Sequence, residues 1–181
     1  MKFVETGFKG LIEIYPAIFE DSRGGFFESW SENVFSANGI NYTFQQDNQS
    51  VSAKNVLRGL HLQIPPFEQG KLVRVAFGRV LDVVVDIRKS QPTYGKYFKI
   101  ELSADKNNML WIPPGFAHGF LTLEDNTIFL YKCTKVYNKE SERSIIWNDP
   151  NLNIDWGCDN PIISEKDKQA VLFKEFETPF N

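Results

Sequence analysis

The sequence is poor in the residues that build thiol and imidazole sites, since it holds two cysteines and two histidines among 181 residues. Cys133 and Cys158 lie far apart and form no C-x-x-C pair, so neither a disulfide framework nor a thiolate metal site has support. A surplus of positive charge is also missing, because 23 Asp and Glu outnumber 20 Lys and Arg and the formal net charge is −3. A nucleic-acid-binding surface needs a surplus of lysine and arginine. These absences predict two reduced cysteines and no nucleic-acid partner.

Long apolar runs are missing as well. No stretch approaches the roughly 20 residues that cross a bilayer, and the segment MKFVETGFKGLIEIYP lacks the apolar core and cleavage site of a signal peptide. We therefore expect no membrane contact and a cytoplasmic location. The length suits one hydrophobic core, so residues 1–181 are expected to form a single domain.

Aromatic residues are abundant, with 16 Phe, 6 Tyr and 4 Trp, and period-two patterns recur along most of the chain. Both features favour an all-β fold. The segment Lys71–Arg88 predicts two strands bent at Gly78. In the second strand, apolar packing is expected for Leu81, Val83, Val85 and Ile87, whereas Asp82 and Asp86 are expected to face elsewhere. Further strands are predicted near residues 97–102, 108–112 and 127–137.

The remaining elements are short. Alternation in Phe26–Trp30 predicts a strand, and a helix is expected to begin after Ser31 and end at Gly39. A terminal helix is predicted from Ser164 onward. Short strands at such spacing, with flanking helices, predict a jelly-roll barrel.

The segment Pro113–His118 has the spacing P-x-G-x-x-H after a predicted strand, and it resembles the second motif of the cupin superfamily. Metal-dependent cupins carry an H-x-H pair in their first motif, but here the corresponding segment is His61-Leu62-Gln63. An iron site with two histidines would use both histidines of the chain, and Gln63 is a poor substitute for an anionic or imidazole ligand. A metal is therefore disfavoured, though not excluded. A histidine in a pocket without a metal suits proton transfer, because its ordinary pKa is about 6.5.

Seven segments, in order and over nearly the whole chain, resemble the signature of the dTDP-4-dehydrorhamnose 3,5-epimerase family. They are FEDSRGGFFE (19–28), QDNQS (46–50), LRGLHLQ (57–63), QGKLVRV (69–75), PGFAHGF (114–120), YKCT (131–134) and ISEKD (163–167). The resemblance implies a cupin-type jelly-roll barrel, a homodimer and no cofactor. It also implies epimerisation at C3 and C5 of a dTDP-linked 4-keto-6-deoxy sugar, a step toward dTDP-L-rhamnose for polysaccharide biosynthesis.

The resemblance assigns catalytic roles to four residues. His61 is the expected base, and Asp167 is its carboxylate partner. Lys71 stands where the family places the cation that stabilises the enolate, and Tyr131 where it places the acid that returns a proton. Hydrogens beside a ketone can be removed only if the developing oxyanion is held by a donor or a cation, so this combination fits the reaction.

The resemblance also assigns substrate contacts. Arg23 and Arg58 correspond to residues that bind the nucleotide diphosphate and the sugar region, and a guanidinium suits bidentate contact with phosphate. His118 is expected to line the pocket. Further positions used for nucleotide or sugar contacts, with one aromatic ring on the thymine, are Phe26, Glu28, Gln46, Asn48 and Tyr137.

Structural roles remain open for the same residues. Asp167 stands three residues after Ser164 and could complete a capping box, and His61 could be a packed histidine bonded to backbone. Lys71 could belong to a solvent-exposed strand face, and Tyr131 could fill the core. Two functional alternatives also remain, namely a relative that epimerises only C3 or isomerises the keto group, and a sugar-binding cupin without catalysis.

Overall fold

The computed structural model describes residues 1–181, and it is built almost entirely of strands. The strands are β1 (Lys2–Glu5), β2 (Ile12–Tyr15), β3 (Phe19–Asp21), β4 (Gly24–Phe26), β5 (Gln46–Ser52), β6 (Leu57–Gln63), β7 (Lys71–Phe77), β8 (Arg79–Asp86), β9 (Tyr97–Ser103), β10 (Met109–Ile112), β11 (Phe116–Thr122), β12 (Thr127–Cys133) and β13 (Glu142–Ser144). The helices are α1 (Glu32–Ala37), α2 (Glu165–Lys168) and a 3₁₀ turn at Phe173–Glu175. None of these helices has the length and apolar content needed to span a bilayer. The all-β, jelly-roll prediction is confirmed.

The strands form two main sheets with antiparallel pairing. One sheet has the order β1-β2-β10-β7-β12-β5, and the other has the order β13-β6-β11-β8-β9. The predicted bend at Gly78 joins the two sheets, because β7 belongs to the first and β8 to the second. Gly78 has a φ of 75°, and an added Cβ would lie 2.6 Å from Oγ1 of Thr127. A glycine is therefore required where the chain turns from one sheet to the other.

The interior between the sheets is apolar at one end and polar at the other. Val73, Val75 and Phe129 pack there against Val84 and Phe120 of the facing sheet. At the other end of the interior, polar side chains occupy the inward positions of the same strands, because alternate residues of a strand point to the same face. The inward polar residues include Ser50, His61, Lys71, Asp82, His118 and Tyr131.

The outward faces of both sheets are also covered. Trp156 and Phe176, from the C-terminal segment, pack on the outer face of the second sheet. Phe35 of α1 and Ile40 pack on the outer face of the first sheet. Sheets buried on both faces explain why β10 and β11 are buried along their whole lengths.

Four local predictions differ from the structure. Phe26–Trp30 is not a strand, because β4 ends at Phe26 and Trp30 packs edge-on against Phe44 at 5.7 Å. Ser31 precedes α1 without a side-chain cap bond, whereas Gly39 takes the expected positive φ of 82° after the helix. The last two differences are in element length. β12 ends at Cys133 and not near Tyr137, and the terminal helix α2 has only four residues.

The predicted terminal helix is short for a tertiary reason. Val171 forms a parallel bridge with Ile145, and the Phe173 amide donates to the Asp149 carboxylate at 2.7 Å. These contacts use backbone groups that a continuous helix would need for its own hydrogen bonds.

Candidate active site

A cavity of about 480 Å³ opens at the polar end of the interior. Its volume suits a small ligand such as one sugar ring with part of its substituent. All four catalytic residues predicted from the sequence lie in its wall. The lining residues are Ser50, Val56, Leu57, Arg58, His61, Lys71, His118, Phe120, Phe129, Tyr131, Ile162, Ile163, Ser164, Lys166 and Asp167.

His61 and Asp167 form a close pair in this wall. Nε2 of His61 lies 2.6 Å from Oδ1 of Asp167, and the Gly59 amide donates to Oδ2 at 3.4 Å. Asp167 is buried, whereas the His61 side chain keeps 32% of its surface exposed to the cavity. Burial by itself would raise the pKa of Asp167, but the hydrogen bond and charge of His61 outweigh it and the pKa is lowered. The pair therefore presents a carboxylate to one imidazole nitrogen and leaves the other free to act.

Asp167 lies in the first turn of α2, whose cap is Ser164, and the return bond of the predicted capping box is not formed. Its backbone amide donates to Oγ of Ser164 at 3.1 Å, which is the first half of a capping box. Its side chain does not return to the cap amide, and bonds His61 instead. The helix start thus fixes the backbone that delivers the carboxylate.

Two glycines allow β6 and β11 to approach each other beside the histidines. His61 and His118 are directly paired across these strands, and the register shifts just after His118. Gly59 has a φ of 126°, and a Cβ added there would lie 2.5 Å from Cα of Gly119. No other residue fits such an approach without moving the backbone.

Lys71 and Tyr131 complete the catalytic group. Burial lowers the pKa of the Lys71 ammonium, and the nearby charges of Cys133, Asp82 and Glu142 oppose this change. Burial raises the pKa of Tyr131, so its phenol keeps its proton at neutral pH. The two side chains therefore offer a cation and a proton donor to the same cavity.

His118 lines the cavity as predicted, and it is buried and stacked on Phe129 at 6.1 Å. Its Nε2 lies 2.9 Å from Oδ2 of Asp82. Burial lowers the pKa of His118, and the charges of Lys71 and His61 lower it further against the opposing effect of Asp82. His118 is therefore a neutral imidazole at neutral pH.

The polar substrate-binding candidates fall into two groups around the cavity. Arg58 lines it directly and donates from Nη2 to Ser52 Oγ at 3.2 Å. Gln46 and Asn48 lie beside it, joined by a 2.9 Å hydrogen bond, and the Tyr137 amide donates to Gln46 at 2.7 Å. These last three line a pocket of about 100 Å³ that shares His61, Lys71 and Tyr131 with the main cavity.

Three predicted binding residues lie outside the cavity of their own chain. Arg23 and Phe26 lie on the β3–β4 hairpin, and the exposed Glu28 follows it. The Arg23 side chain is 87% exposed and pairs with Asp21 at 2.6 Å. Phe26 is 71% exposed. The structure thus separates this hairpin from the group around His61.

Sequence reasoning missed three residues near the site. Asp82 was expected to face away from the packing, yet it is fully buried and faces the interior, because both faces of β8 are covered. Glu142 and Lys166 form an ion pair of 2.5 Å at the cavity mouth. Only Asp82 carried a signal, as a lone carboxylate within an apolar run.

No group of three or more histidine, cysteine, aspartate and glutamate side chains in the described chain is arranged to hold a metal ion.

Residues 5–175 match the family model described as dTDP-4-dehydrorhamnose 3,5-epimerase. The chain is 49% identical over 174 residues to the dTDP-4-dehydrorhamnose 3,5-epimerase of Shigella flexneri, covering 96% of each chain. The structure resembles that of dTDP-6-deoxy-D-glucose-3,5-epimerase from Legionella pneumophila in complex with dTDP-4-keto-L-rhamnose, with TM-score 0.93, 44% identity and coverage of 97% and 94% of the two chains. A 3'-monoepimerase from Streptomyces bikiniensis, in complex with dTDP-quinovose, is more distant, with TM-score 0.86, 32% identity and coverage of 92% and 85%.

Proposed function

Because the chain belongs to the dTDP-4-dehydrorhamnose 3,5-epimerase family, it is an isomerase, and we propose that His61 is the base with which it inverts C3 and C5 of dTDP-4-dehydro-6-deoxy-D-glucose. The observation that carries this assignment is the 2.6 Å contact between His61 and the buried Asp167 in the wall of the cavity. The product would serve dTDP-L-rhamnose biosynthesis.

His61 starts each inversion by taking a proton from the carbon beside the C4 ketone. The electron pair of the broken C–H bond becomes the double bond of an enolate, and the carbonyl π electrons move onto oxygen. Asp167 holds one nitrogen of His61 and stabilises the imidazolium that results. Since only one imidazole nitrogen is free, His61 takes protons from the side of the sugar that faces this nitrogen.

Lys71 stabilises the oxyanion that develops at O4. No side-chain hydrogen bond contributes to the pKa of its ammonium. The ammonium is therefore free to bind the substrate oxygen. A preorganised cation in a water-poor cavity is worth more than the same charge in water. No step of this scheme calls for a metal ion or an organic cofactor.

Tyr131 supplies the proton that completes the inversion. It belongs to the first sheet and His61 to the second, so the two side chains enter the cavity from opposite walls. Its raised pKa keeps the phenol protonated and ready to donate to the enolate carbon. Proton removal on one face and return on the other inverts the carbon.

The nucleotide is proposed to bind along the cavity mouth. Arg58 lines the cavity wall, and its guanidinium is suited to hydrogen bonds with the diphosphate oxygens. Tyr137 is 54% exposed beside Gln46 and Asn48, where its ring is free to stack on a base. His118 would form part of the floor beneath the sugar.

We also propose a homodimer, because the hairpin residues Arg23 and Phe26 are exposed and lie outside their own cavity. Association of two copies would place the hairpin of one copy beside the nucleotide bound in the cavity of the other. Ile18 and Phe19 add exposed apolar area to the same hairpin, at 41% and 66%. A cytoplasmic location remains part of the proposal, and the free state of both cysteines is compatible with it.

Incubation of the protein with the dTDP-4-keto-6-deoxy sugar in D₂O tests this function. Deuterium at both C3 and C5, followed by NMR, is the expected result, whereas label at C3 alone would identify a C3 epimerase. A 3,4-ketoisomerase would move the carbonyl, and a sugar-binding protein would give no label. His61→Ala is expected to abolish the exchange while dTDP still binds, and undiminished exchange in this variant would remove His61 from the mechanism.

A further inference from the structure

Asp82 on β8 is fully buried and takes no part in the mechanism described above. Its Oδ2 is bonded to His118 at 2.9 Å, whereas its Oδ1 has no hydrogen-bond partner. Val80 and Val84, on the same face of β8, are ordinary apolar core residues. A buried carboxylate with one unsatisfied oxygen is costly, so packing alone does not explain an aspartate at this position.

His118 anchors this carboxylate without neutralising it. Burial lowers the pKa of His118, so the imidazole is neutral at physiological pH. Its Nε2–H then donates to Asp82, and its Nδ1 is left as an acceptor. The pair therefore holds the Asp82 carboxylate directly behind the cavity-lining His118, with an uncharged partner.

Lys71 is a cation without a salt bridge on which the charge of Asp82 acts. The titratable groups that act on Lys71 or share its pockets are Cys133 and Tyr131 on β12, His118 on β11, His61 on β6, Glu142 on β13 and Asp82 on β8. Only two of them are carboxylates. Glu142 is already bound to Lys166 at 2.5 Å and to the Tyr137 hydroxyl at 2.9 Å. Of the two carboxylates, Asp82 is thus the one that forms no salt bridge with a lysine or arginine.

We propose that Asp82 is a positioning residue for the epimerisation: anchored by His118, its carboxylate is the counter-charge that keeps Lys71 an ammonium facing the substrate oxygen. This inference rests on the role of Lys71 in the proposed function. A desolvated lysine without a counter-charge loses its proton near neutrality, and a neutral amine stabilises an enolate poorly. Asp82 therefore acts on the reaction through Lys71 and not by contact with the sugar.

The pH dependence of kcat/KM in Asp82→Asn tests the proposal. Lys71 is active while protonated, so its contribution to activity is present below its pKa and is lost as the pH rises through that pKa, which gives the alkaline limb. Burial already lowers this pKa, and Asp82 opposes the effect. The variant is expected to shift the alkaline limb to lower pH by about one unit or more, with dTDP affinity unchanged. An alkaline limb that stays in place in folded Asp82→Asn would overturn the proposal.

Asp86→Asn is the matched control. Asp86 is equally buried on the same strand, but it pairs with Arg88 at 2.7 Å and, unlike Asp82, is not among the charges that act on Lys71. This variant should lose stability and keep the alkaline limb of the wild type. A shift as large as that of Asp82→Asn would mean that any buried charge on β8 has the effect, and it would also overturn the proposal.

A measurement on the wild-type protein covers the case in which Asp82→Asn does not fold. Lysine labelled with ¹³C at Cε gives NMR signals that follow amine protonation, and Lys71→Arg identifies the signal of Lys71. The proposal requires a charged Lys71 through pH 8, and a neutral Lys71 at pH 7.5 would refute it. Wild-type exchange in D₂O is measured in parallel, because its absence would count against the proposed function itself.

Discussion

At the scale of single residues, Tyr131 and His61 have separable roles. Removal of the Tyr131 hydroxyl leaves His61 able to take a proton and to return deuterium on the same face. Tyr131→Phe should therefore still exchange hydrogen in D₂O, while inversion falls by about 10²–10⁴-fold. NMR of recovered sugar separates labelled substrate from labelled product. Equal loss of exchange and inversion would contradict a role limited to reprotonation.

Asp167 makes stability depend on pH in a direction that follows from its lowered pKa. The folded-state pKa lies below the unfolded value of about 3.9, so the His61–Asp167 pair stabilises the fold above that pH. This contribution is lost as the pH falls through the folded-state pKa. Urea unfolding should show Asp167→Asn less stable than the wild type at pH 6, with the difference shrinking by pH 3. A constant difference across this range would refute the linkage.

At the scale of secondary-structure elements, the contact between β6 and β11 depends on Gly59. Gly59→Ala places a Cβ 2.5 Å from Cα of Gly119 and 2.7 Å from the His118 carbonyl. Backbone must move at both strands, so the free energy of unfolding should fall by about 2–4 kcal/mol. Urea or thermal unfolding measures this loss.

Gly24→Ala separates backbone strain from steric overlap in the same measurement. Gly24 has a φ of 120°, close to that of Gly59, but a Cβ there meets nothing within 4 Å. Its substitution should cost about 1 kcal/mol, from conformation alone. If both variants lost the same stability, crowding between β6 and β11 would not be the cause.

The sequence predicts elements well where local pattern and tertiary environment agree. Alternation and Gly78 identified β7 and β8, because a bend between two sheets needs the conformation that glycine supplies. Asp82 was misjudged because a charge on an alternating strand usually marks solvent, whereas both faces of β8 are buried. The terminal helix failed because Val171 and Phe173 bond to other segments. Such long-range contacts leave no local signal.

At the scale of the whole molecule, a resemblance can assign residues to a site without saying which copy of the chain supplies them. His61, Lys71, Tyr131 and Asp167 come together in one cavity although they are far apart in sequence. Arg23 does not join them, and its hairpin is among the most exposed parts of the chain. If it binds the nucleotide, as its family position implies, it must act on the cavity of a second copy.

Mixing two inactive variants tests this arrangement. Arg23→Ala lacks the hairpin contact and His61→Ala lacks the base, so each homodimer should be severely impaired. In a mixed dimer the intact His61 of one copy meets the intact Arg23 of the other, which restores one complete site in two. Activity should therefore reappear after the variants are co-refolded or subunits exchange, and mass measurement of the assembly should give a dimer. A double variant carrying both substitutions, mixed with either single variant, should restore nothing. If each hairpin served its own cavity, both sites of the mixed dimer would be incomplete and activity would stay at the level of the parents.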